Sequence, residues 1–293
     1  MTLGAADAAP TPERRIERAR HTVELILDTL FRPGDWAARA THSIGLQGRL
    51  RTTTTVVQSS RVLRRDTPLR IAFASDFHAG STTDERLIAA ACAELDRLEP
   101  DVLLLGGDFV SVRAADVARV APHLAAVNAP FGKFAVLGNH DLRANYRELI
   151  GALEAVGVQV LRNAQARLPV PFADVTICGL DDTTRGTPRA DLAMDGAEGV
   201  RVVLMHSPDG LEAIGNRPFD LALCGHTHGG QVVLPWGTPL WVPGEGLNRR
   251  YCHGRFGVGE REASTLVVSR GVGCSTVPLR AFAAPEVHLC LIV

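Results

Sequence analysis

Five short apolar runs in the chain are each followed directly by aspartate, asparagine or histidine. The segments that follow them are Asp76-Phe77-His78, Gly106-Gly107-Asp108, Gly138-Asn139-His140-Asp141, His206 and Gly225-His226-Thr227-His228. Such runs predict buried strands, and the ligands of open α/β sheets bind at the carboxyl ends of strands. A single Asp-x-His is typical of a capped turn, but five endings of this kind indicate one shared site.

The residue types at these strand ends indicate metal binding. Carboxylate, amide and imidazole groups suit divalent Mn, Fe or Zn, and the absence of cysteine from the set argues against a structural zinc. Seven such donors exceed what one ion takes and suit two divalent metal ions that share a carboxylate. Two such ions clamp the attacking and leaving oxygens of a phosphoryl displacement. They also lower the pKa of a bridging water, so that a metal-bridging hydroxide is available near neutral pH.

Alternating strand-like and helical segments position these residues. The predicted strands cover 70–75, 102–105, 133–137, 175–178, 200–205, 221–224, 231–234, 265–268 and 287–292. Helices are predicted over 83–98, with a capping box at Thr82-x-x-Glu85, over 114–127, with a kink at Pro122, and over 146–156. This order predicts a layered α/β sandwich that forms one catalytic domain over residues 70–293.

Residues 1–69 precede this alternation, and we treat them as a separate N-terminal helical and extended segment. Apolar residues at a helical spacing predict an amphipathic helix over about 13–31, and its first turns carry four arginines. The helix either docks on the domain or lies on an anionic membrane surface as a basic amphipathic helix. Residues 51–57 are typical of an edge strand.

Composition excludes several classes of protein. Of the 293 residues, 46% are hydrophobic and 22% are charged, which excludes a disordered chain and a polytopic membrane protein. The formal net charge of −1 gives no argument for a nucleic-acid partner, and we expect none. Six widely spaced cysteines predict free thiols in a reducing compartment. We therefore expect a cytoplasmic protein, with peripheral contact with a membrane left open, as is the oligomeric state.

The order of the strand-end motifs resembles that of the calcineurin-like metallophosphoesterase superfamily. Further segments resemble its small bacterial phosphodiesterase branch, namely Gly179–Asp182, His206–Asp209, Gly225–Gln231, Arg270-Gly271, Pro278–Arg280 and Pro285-Glu286. The resemblance covers about 70–293. It implies a four-layer α/β/β/α sandwich and a binuclear metal centre.

The resemblance also implies a role for each matching residue. The implied metal ligands are Asp76, His78 and His228 for the first ion, Asn139, His206 and His226 for the second, and Asp108 as the bridge. His140 resembles the catalytic histidine, which protonates the leaving oxygen or stabilises its developing charge. Asp141 would orient His140 through a hydrogen bond. Arg143 and Arg280 either bind substrate phosphate or form structural ion pairs, because a guanidinium forks onto two oxygens in both cases.

We therefore expect a metal-dependent phosphoric ester hydrolase, and within that class a phosphodiesterase or pyrophosphatase. The alternative is a non-catalytic metal-binding interaction module of the same fold, which would be expected to have lost ligands or the catalytic histidine. A turn-rich stretch with Trp236 and Trp241 is either a self-packed loop or an amphipathic rim that meets lipid headgroups. With the N-terminal helix, such a rim makes a lipid-linked substrate a candidate. UDP-diacylglucosamine, which relatives in the superfamily handle, is one example, while cyclic nucleotides and glycerophosphodiesters stay open.

Overall fold

Two six-stranded sheets form the centre of the molecule in this computed structural model. The structure describes residues 12–59, 61, 67–260 and 263–293, and for residues 12–20 it describes the helix without its side chains. The predicted four-layer α/β/β/α sandwich is confirmed, since the sheets pack on each other and helices cover both outer faces.

The first sheet carries three of the predicted site loops. In spatial order it contains β1 (Arg51–Val57), β12 (Glu286–Ile292), β2 (Leu69–Ala74), β3 (Val102–Leu105), β4 (Lys133–Ala135) and β5 (Val158–Val160). Strands β2 to β5 are parallel, so the segments that follow β2, β3 and β4 emerge at one edge. β1 is an edge strand, as the sequence predicts. It pairs in parallel with β12 and so belongs to the same sheet as the strands after residue 70.

The second sheet carries the two remaining site loops. In spatial order it contains β10 (Gly254–Val258), β11 (Ser264–Val268), β9 (Leu221–Cys224), β8 (Val200–Leu204), β7 (Val175–Gly179) and β6 (Ala164–Arg167). Its four central strands are parallel, and the antiparallel strands β10 and β6 form its edges.

Side-chain alternation along the strands separates three layers of apolar core. Ile71 and Phe73 of β2 point between the sheets, whereas Ala72 and Ala74 point to the helices outside the first sheet. This period of two is what a strand buried on both faces requires. The two sheets therefore pack through a continuous apolar layer, which sets the distance between their strand ends.

Helices cover the two outer faces and the N-terminal edge. They are α1 (Pro12–Phe31), α2 (Trp36–Ser43), α3 (Glu85–Arg97), α4 (Ala121–Ala126), α5 (Asn139–Arg143), α6 (Tyr146–Glu154), α7 (Ala190–Met194), α8 (Gly210–Ile214) and α9 (Leu247–Arg250). Helices α3, α4 and α6 pack on the first sheet, and α7 and α8 pack on the second. Among the described residues, no helix is long and apolar enough to cross a membrane. The cysteines are all free, as predicted.

Two local predictions are wrong. The segment 231–234 forms only isolated bridges, because Gly229, Gly230 and Gln231 all take positive φ and turn the chain away from an extended course. The cap of α3 is Asp84, whose side chain accepts the Arg86 N–H at 2.9 Å. The predicted kink at Pro122 is present as a break between a 3₁₀ turn over 114–119 and α4.

The N-terminal helix docks with the opposite face from the one that an amphipathic helix usually buries. Val23, Ile26 and Leu30 are 48–61% exposed, whereas Glu24 and Asp28 are 4% and 3% exposed. The structure therefore shows the alternative in which the helix docks on the domain, and the contact is made by its acidic face. The acidic face of the helix turns inward because its acidic residues pair with arginines on the domain surface. The side chains of the arginines in its first turns lie outside the described residues.

Candidate metal centre

The structure brings together all seven predicted metal ligands where the two sheets meet. The loops after β2, β3 and β4 of the first sheet contribute four of them, and the loops after β8 and β9 of the second contribute three. Asn139 is half-buried and the other six are buried. Side chains far apart in sequence meet because both sheets present the carboxyl ends of parallel strands to one region.

One group of ligands contains Asp76, His78 and His228. The Nε2 atoms of His78 and His228 lie 3.0 Å apart. Asp76 Oδ1 lies 3.6 Å from His228 Nε2 and 4.0 Å from His78 Nε2. The donor atoms of the three side chains thus converge on one another.

A second group of ligands contains Asn139, His206 and His226. His206 Nε2 lies 3.2 Å from Asn139 Oδ1 and 3.1 Å from His226 Nδ1. The opposite nitrogen of His206, Nδ1, lies 2.8 Å from the carbonyl oxygen of Gly106 and donates to it. This hydrogen bond leaves the Nε2 lone pair for the site, which is how a backbone carbonyl orients a ligating imidazole.

Asp108 lies between the two groups and faces both with the same atom. Its Oδ2 is 3.5 Å from His78 Nε2 and 3.4 Å from His206 Nε2. Its other oxygen, Oδ1, accepts the backbone N–H of His140 at 2.8 Å. The arrangement holds one carboxylate oxygen at the junction of the two donor groups.

The donor spacing fits divalent metal ions. Metal bonds of about 2.1 Å at tetrahedral to right angles separate neighbouring donor atoms by about 3.0–3.4 Å. The closest donor pairs in both groups fall in or near this range, and the donors are oxygens and imidazole nitrogens. The residues therefore fit the group of metals that the residue types predict.

Burial and mutual charge shift the ionisation of these side chains in different directions. Burial, with repulsion from Asp108, raises the pKa of Asp76 to about 6 although His206 attracts its charged form. Burial alone would also raise the pKa of Asp108, but His206, His140 and His78 lower it well below its usual value. Burial alone would lower the pKa of His206, but attraction by Asp108 raises it well above the usual value. The central carboxylate is thus the group held most firmly in its charged form.

The backbone at the ligands is strained. Five of the seven predicted ligands have φ between 45° and 70°, namely Asp76, His78, Asp108, His226 and His228. Residues other than glycine rarely adopt this left-handed region, at a cost of about 1–3 kcal/mol each. Strain concentrated at one cluster of donors indicates a functional site, because nothing local favours it.

Glycines let the ligand loops approach one another. A Cβ built at Gly138 would clash with Asp108 Oδ1 and would lie 2.6 Å from His206 Cε1. A Cβ at Gly225 would clash with Asp76 Oδ2. These glycines of the Gly-Asn-His-Asp and Gly-His-Thr-His motifs are therefore needed for close packing of the ligands.

The ring of His140 lies against His78 of the first group, with 4.7 Å between the ring centroids, but Asp141 does not orient it. Both oxygens of Asp141 accept backbone N–H groups, from Phe109 and Val110 at 2.8 and 3.2 Å and from Gly138 at 3.0 Å. The predicted hydrogen bond between Asp141 and His140 is therefore wrong. Asp141 instead ties the loop after β3 to the start of α5. Burial, with repulsion from Asp108, raises the pKa of Asp141 to about 8.

The partners of His140 are a carbonyl and an arginine. Its Nδ1 lies 2.7 Å from the carbonyl oxygen of Ser111 and 2.7 Å from Arg143 Nη2. The carbonyl can only accept and the guanidinium can only donate, so Nδ1 serves one of them at a time. Burial lowers the pKa of His140 well below its usual value.

The two predicted phosphate-binding arginines have different surroundings. Arg280 is 4% exposed and donates to the carbonyl oxygens of Gly273, Ala283 and Arg270. Its guanidinium is thus hydrogen-bonded to the loop around it, which favours the structural alternative for Arg280. Arg143 is paired with Glu24 of α1, with 3.0 Å between Nη1 and Oε2.

Glu24 is the residue at this site that the sequence did not indicate. It is buried on α1, and the structure brings it to Arg143 and to within 3.9 Å of His140 Nε2. The one available signal was its spacing of four from Asp28, which places two acidic residues on one helix face. That spacing does not reveal which face of the helix turns inward.

A cavity of about 430 Å³ opens from the ligands. Its lining includes Asp108, Asn139 and His140 together with His226 and His228. It also includes the apolar side chains of Val232, Leu240, Trp241, Pro243 and Val277. The cavity therefore combines the polar donors with apolar surface.

Comparison with known proteins finds relatives along most of the chain. The model of the calcineurin-like phosphoesterase family matches residues 69–230. The chain is 36% identical to phosphodiesterase YaeI of Escherichia coli over 77% of its length and 83% of that protein. It is 30% identical to YkuE, an uncharacterised metallophosphoesterase of Bacillus subtilis, over 81% of its own length and 84% of that protein. It is also 26% identical to the UDP-2,3-diacylglucosamine pyrophosphatase LpxG of Chlamydia trachomatis, over 75% of its own length and 82% of that protein.

We expect Gly138→Ala to lower metal affinity about 10–100-fold, as changes next to metal ligands do, because the added methyl displaces Asp108 and His206. Metal content after dialysis, measured by mass spectrometry, checks this. The matched control is Gly151→Ala, at an exposed position of α6 with nothing within 4 Å of the added atom. It should leave metal content unchanged and stabilise the fold by about 0.5–1 kcal/mol. Equal metal content in the two variants would contradict the close-packing argument.

Proposed function

The chain belongs to the calcineurin-like phosphoesterase family and is a metal-dependent hydrolase of phosphoesters, and we propose that it is a two-metal phosphodiesterase or pyrophosphatase. The observation that carries the two-metal proposal is the position of Asp108, whose Oδ2 faces a histidine of each donor group at 3.4–3.5 Å. A shared carboxylate oxygen is what two neighbouring ions require.

In this proposal the two donor groups hold one divalent ion each. Asp76, His78 and His228 would hold the first, Asn139, His206 and His226 would hold the second, and Asp108 would be a ligand of both. When bound, such ions supply Lewis-acid polarisation of the phosphate and activation of water. The protein contributes fixed donors in a buried setting, so little reorganisation is needed when the substrate's charge arrives.

His140 is the proposed catalytic residue of this chain. Its ring lines the cavity, and its N–H group at Nδ1 has a carbonyl acceptor at Ser111. With Nδ1 donating to that carbonyl, only the doubly protonated ring carries a proton at Nε2, and it is in this form that we propose that the ring protonates the leaving oxygen. Asp141 supports this residue indirectly, by fixing the loop that begins α5.

We expect the chelator-stripped protein to be inactive and to hydrolyse bis(p-nitrophenyl) phosphate after reloading with Mn, Zn or Fe. Cleavage of this diester should exceed cleavage of p-nitrophenyl phosphate under the same conditions. The colour of released p-nitrophenol measures both reactions. A preference for the monoester with every metal would contradict the phosphodiesterase proposal.

Two variants separate metal binding from catalysis. Asp108→Ala should abolish activity and reduce the content of both ions, because each ion loses a ligand. His140→Ala should keep near-normal metal content and lower turnover about 10²–10⁴-fold, the range for loss of a general acid. Metal content and kcat are measured on the same preparations. Equal loss of metal in both variants would contradict the separate roles.

The substrate class that we propose is a phosphodiester or pyrophosphate with an apolar group, such as a lipid-linked nucleotide. The apolar side chains of Leu240, Trp241 and Val277 support this because they line the same cavity as the metal ligands. A long apolar chain would gain about 0.8 kcal/mol for each methylene group buried there. The similarity to a diacylglucosamine pyrophosphatase is consistent with such a substrate.

We also propose that the mouth of the cavity contacts a lipid surface. Trp236 and Phe282 are 73% and 71% exposed, and Ile26 on the outer face of α1 is 61% exposed. Thr276 connects these regions, since it lines the cavity and its hydroxyl donates to Glu24 of α1 at 3.3 Å. Exposed tryptophans beside an apolar cavity suit the interface of a bilayer, from which a lipid-linked substrate would enter.

We expect a combined Ile26→Ser, Trp236→Ser and Phe282→Ser variant to sediment several-fold less with phosphatidylglycerol vesicles than the unmodified protein, because it loses apolar contact with the bilayer. Its hydrolysis of bis(p-nitrophenyl) phosphate should be unchanged, since the soluble diester needs no membrane. The matched control is Leu192→Ser, which removes a 55% exposed leucine from the outer side of the second sheet. Unchanged sedimentation of the combined variant would contradict the lipid contact.

A further inference from the structure

The buried carboxylate of Glu24 lies between two residues that line the cavity. Its Oε1 accepts the hydroxyl of Thr276 at 3.3 Å and is 3.9 Å from His140 Nε2. Its Oε2 is 3.0 Å from Arg143 Nη1. His21, one turn earlier on α1, lies 3.4 Å from the same nitrogen of Arg143. The N-terminal helix thus brings a charged side chain to the wall of the active site.

Arg143 connects Glu24 to the imidazole of His140. While Nη1 of the guanidinium faces Glu24, Nη2 lies 2.7 Å from His140 Nδ1. The guanidinium is planar and rigid, so fixing one of its nitrogens fixes the position of the other. Its side chain is only 11% exposed, so water offers little competition for either contact. The Glu24 carboxylate therefore determines the position of the Arg143 guanidinium beside the His140 ring.

The docking of α1 does not depend on Glu24. One turn later, Asp28 accepts hydrogen bonds from Arg32, from Arg113 at 3.1 Å and from Ser81 at 2.9 Å. Arg32 also pairs with Asp116 at 2.8 Å, which joins the helix to the 3₁₀ turn over 114–119. Burial opposes the charge of Asp28, but these partners lower its pKa below the usual value. A second buried acid thus anchors the helix without touching Arg143 or His140.

We propose that Glu24 is a positioning residue for hydrolysis: it holds Arg143 against the ring of His140, so that the N-terminal helix completes the active site. The inference rests on the proposed catalytic role of His140. Loss of the carboxylate leaves a largely buried guanidinium without its counter-charge, and the guanidinium then shifts toward the solvent. The ring of His140 then loses the guanidinium that lies against its Nδ1.

The test compares Glu24→Gln with Asp28→Asn, two neutral replacements of nearly the same shape on the same helix face. Glu24→Gln should lower kcat about tenfold or more with little change in KM or metal content, because Arg143, which lies beside His140, loses its ion-pair partner and moves away from the ring. Asp28→Asn should lower the melting temperature at least as much as Glu24→Gln does, but should keep kcat within about twofold. Steady-state kinetics, metal analysis and thermal unfolding are measured on each protein.

A double-variant cycle tests whether Glu24 acts through Arg143. Because the carboxylate has no role once its partner is gone, the double variant Glu24→Gln, Arg143→Gln should have the same kcat as Arg143→Gln alone. Multiplied losses would overturn the proposal. So would a Glu24→Gln variant with wild-type kcat, or an Asp28→Asn variant with an equal loss of kcat.

The kinetics are measured with both bis(p-nitrophenyl) phosphate and p-nitrophenyl phosphate. A wild-type protein that cleaves only the monoester would contradict the phosphodiesterase proposal, and the ratio between variants would still decide the role of Glu24. The two proposals therefore fail by different results.

Discussion

The structure of this protein depends on the position of one carboxylate oxygen. Oδ2 of Asp108 must face His78, from the first sheet, and His206, from the second, at distances that differ by only 0.1 Å. The apolar layer between the sheets sets this geometry, because it fixes how far apart the two sets of strand ends lie. Removal of that layer would separate the ligands within each donor group, because each group takes ligands from both sheets. The core between the sheets thus acts directly on the chemistry of the site.

This arrangement requires backbone conformations that the ligand residues, which are not glycines, rarely adopt. Five predicted ligands adopt left-handed φ values, and glycines stand where a methyl group would collide with a ligand. Such strain persists only where the surrounding structure fixes the conformation. The strands before the loops are almost completely buried, and Asp141 ties two of the loops together through backbone N–H groups. The donors are consequently held in place before any ion or substrate arrives, which favours binding and catalysis.

The N-terminal helix has an unusual division of its faces. Its acidic residues turn inward to arginines of the domain, and its apolar residues face outward. The inner face contacts Arg143, which lies beside His140, whereas Val23, Ile26 and Leu30 of the outer face are exposed. One helix therefore carries both apolar residues on the surface that we propose to meet lipid and the carboxylate that we propose to position the catalytic residue.

The sequence by itself determined the strands, the residues that follow them and the class of metal they suit, because strand formation and donor chemistry are local properties. A layered α/β sandwich and the meeting of seven donors could therefore be predicted, whereas the four-layer arrangement was implied by the resemblance to the family. Only the tertiary structure decided which donor meets which acceptor: Asp141 pairs with backbone amides, Arg280 with carbonyl groups, and Glu24 with Arg143. It also decided that α1 buries its charges, because the inward face of a helix is chosen by the surface it meets. Hydrogen bonds and ion pairs act over a few ångströms through space, so the spacing of residues along the chain does not specify them.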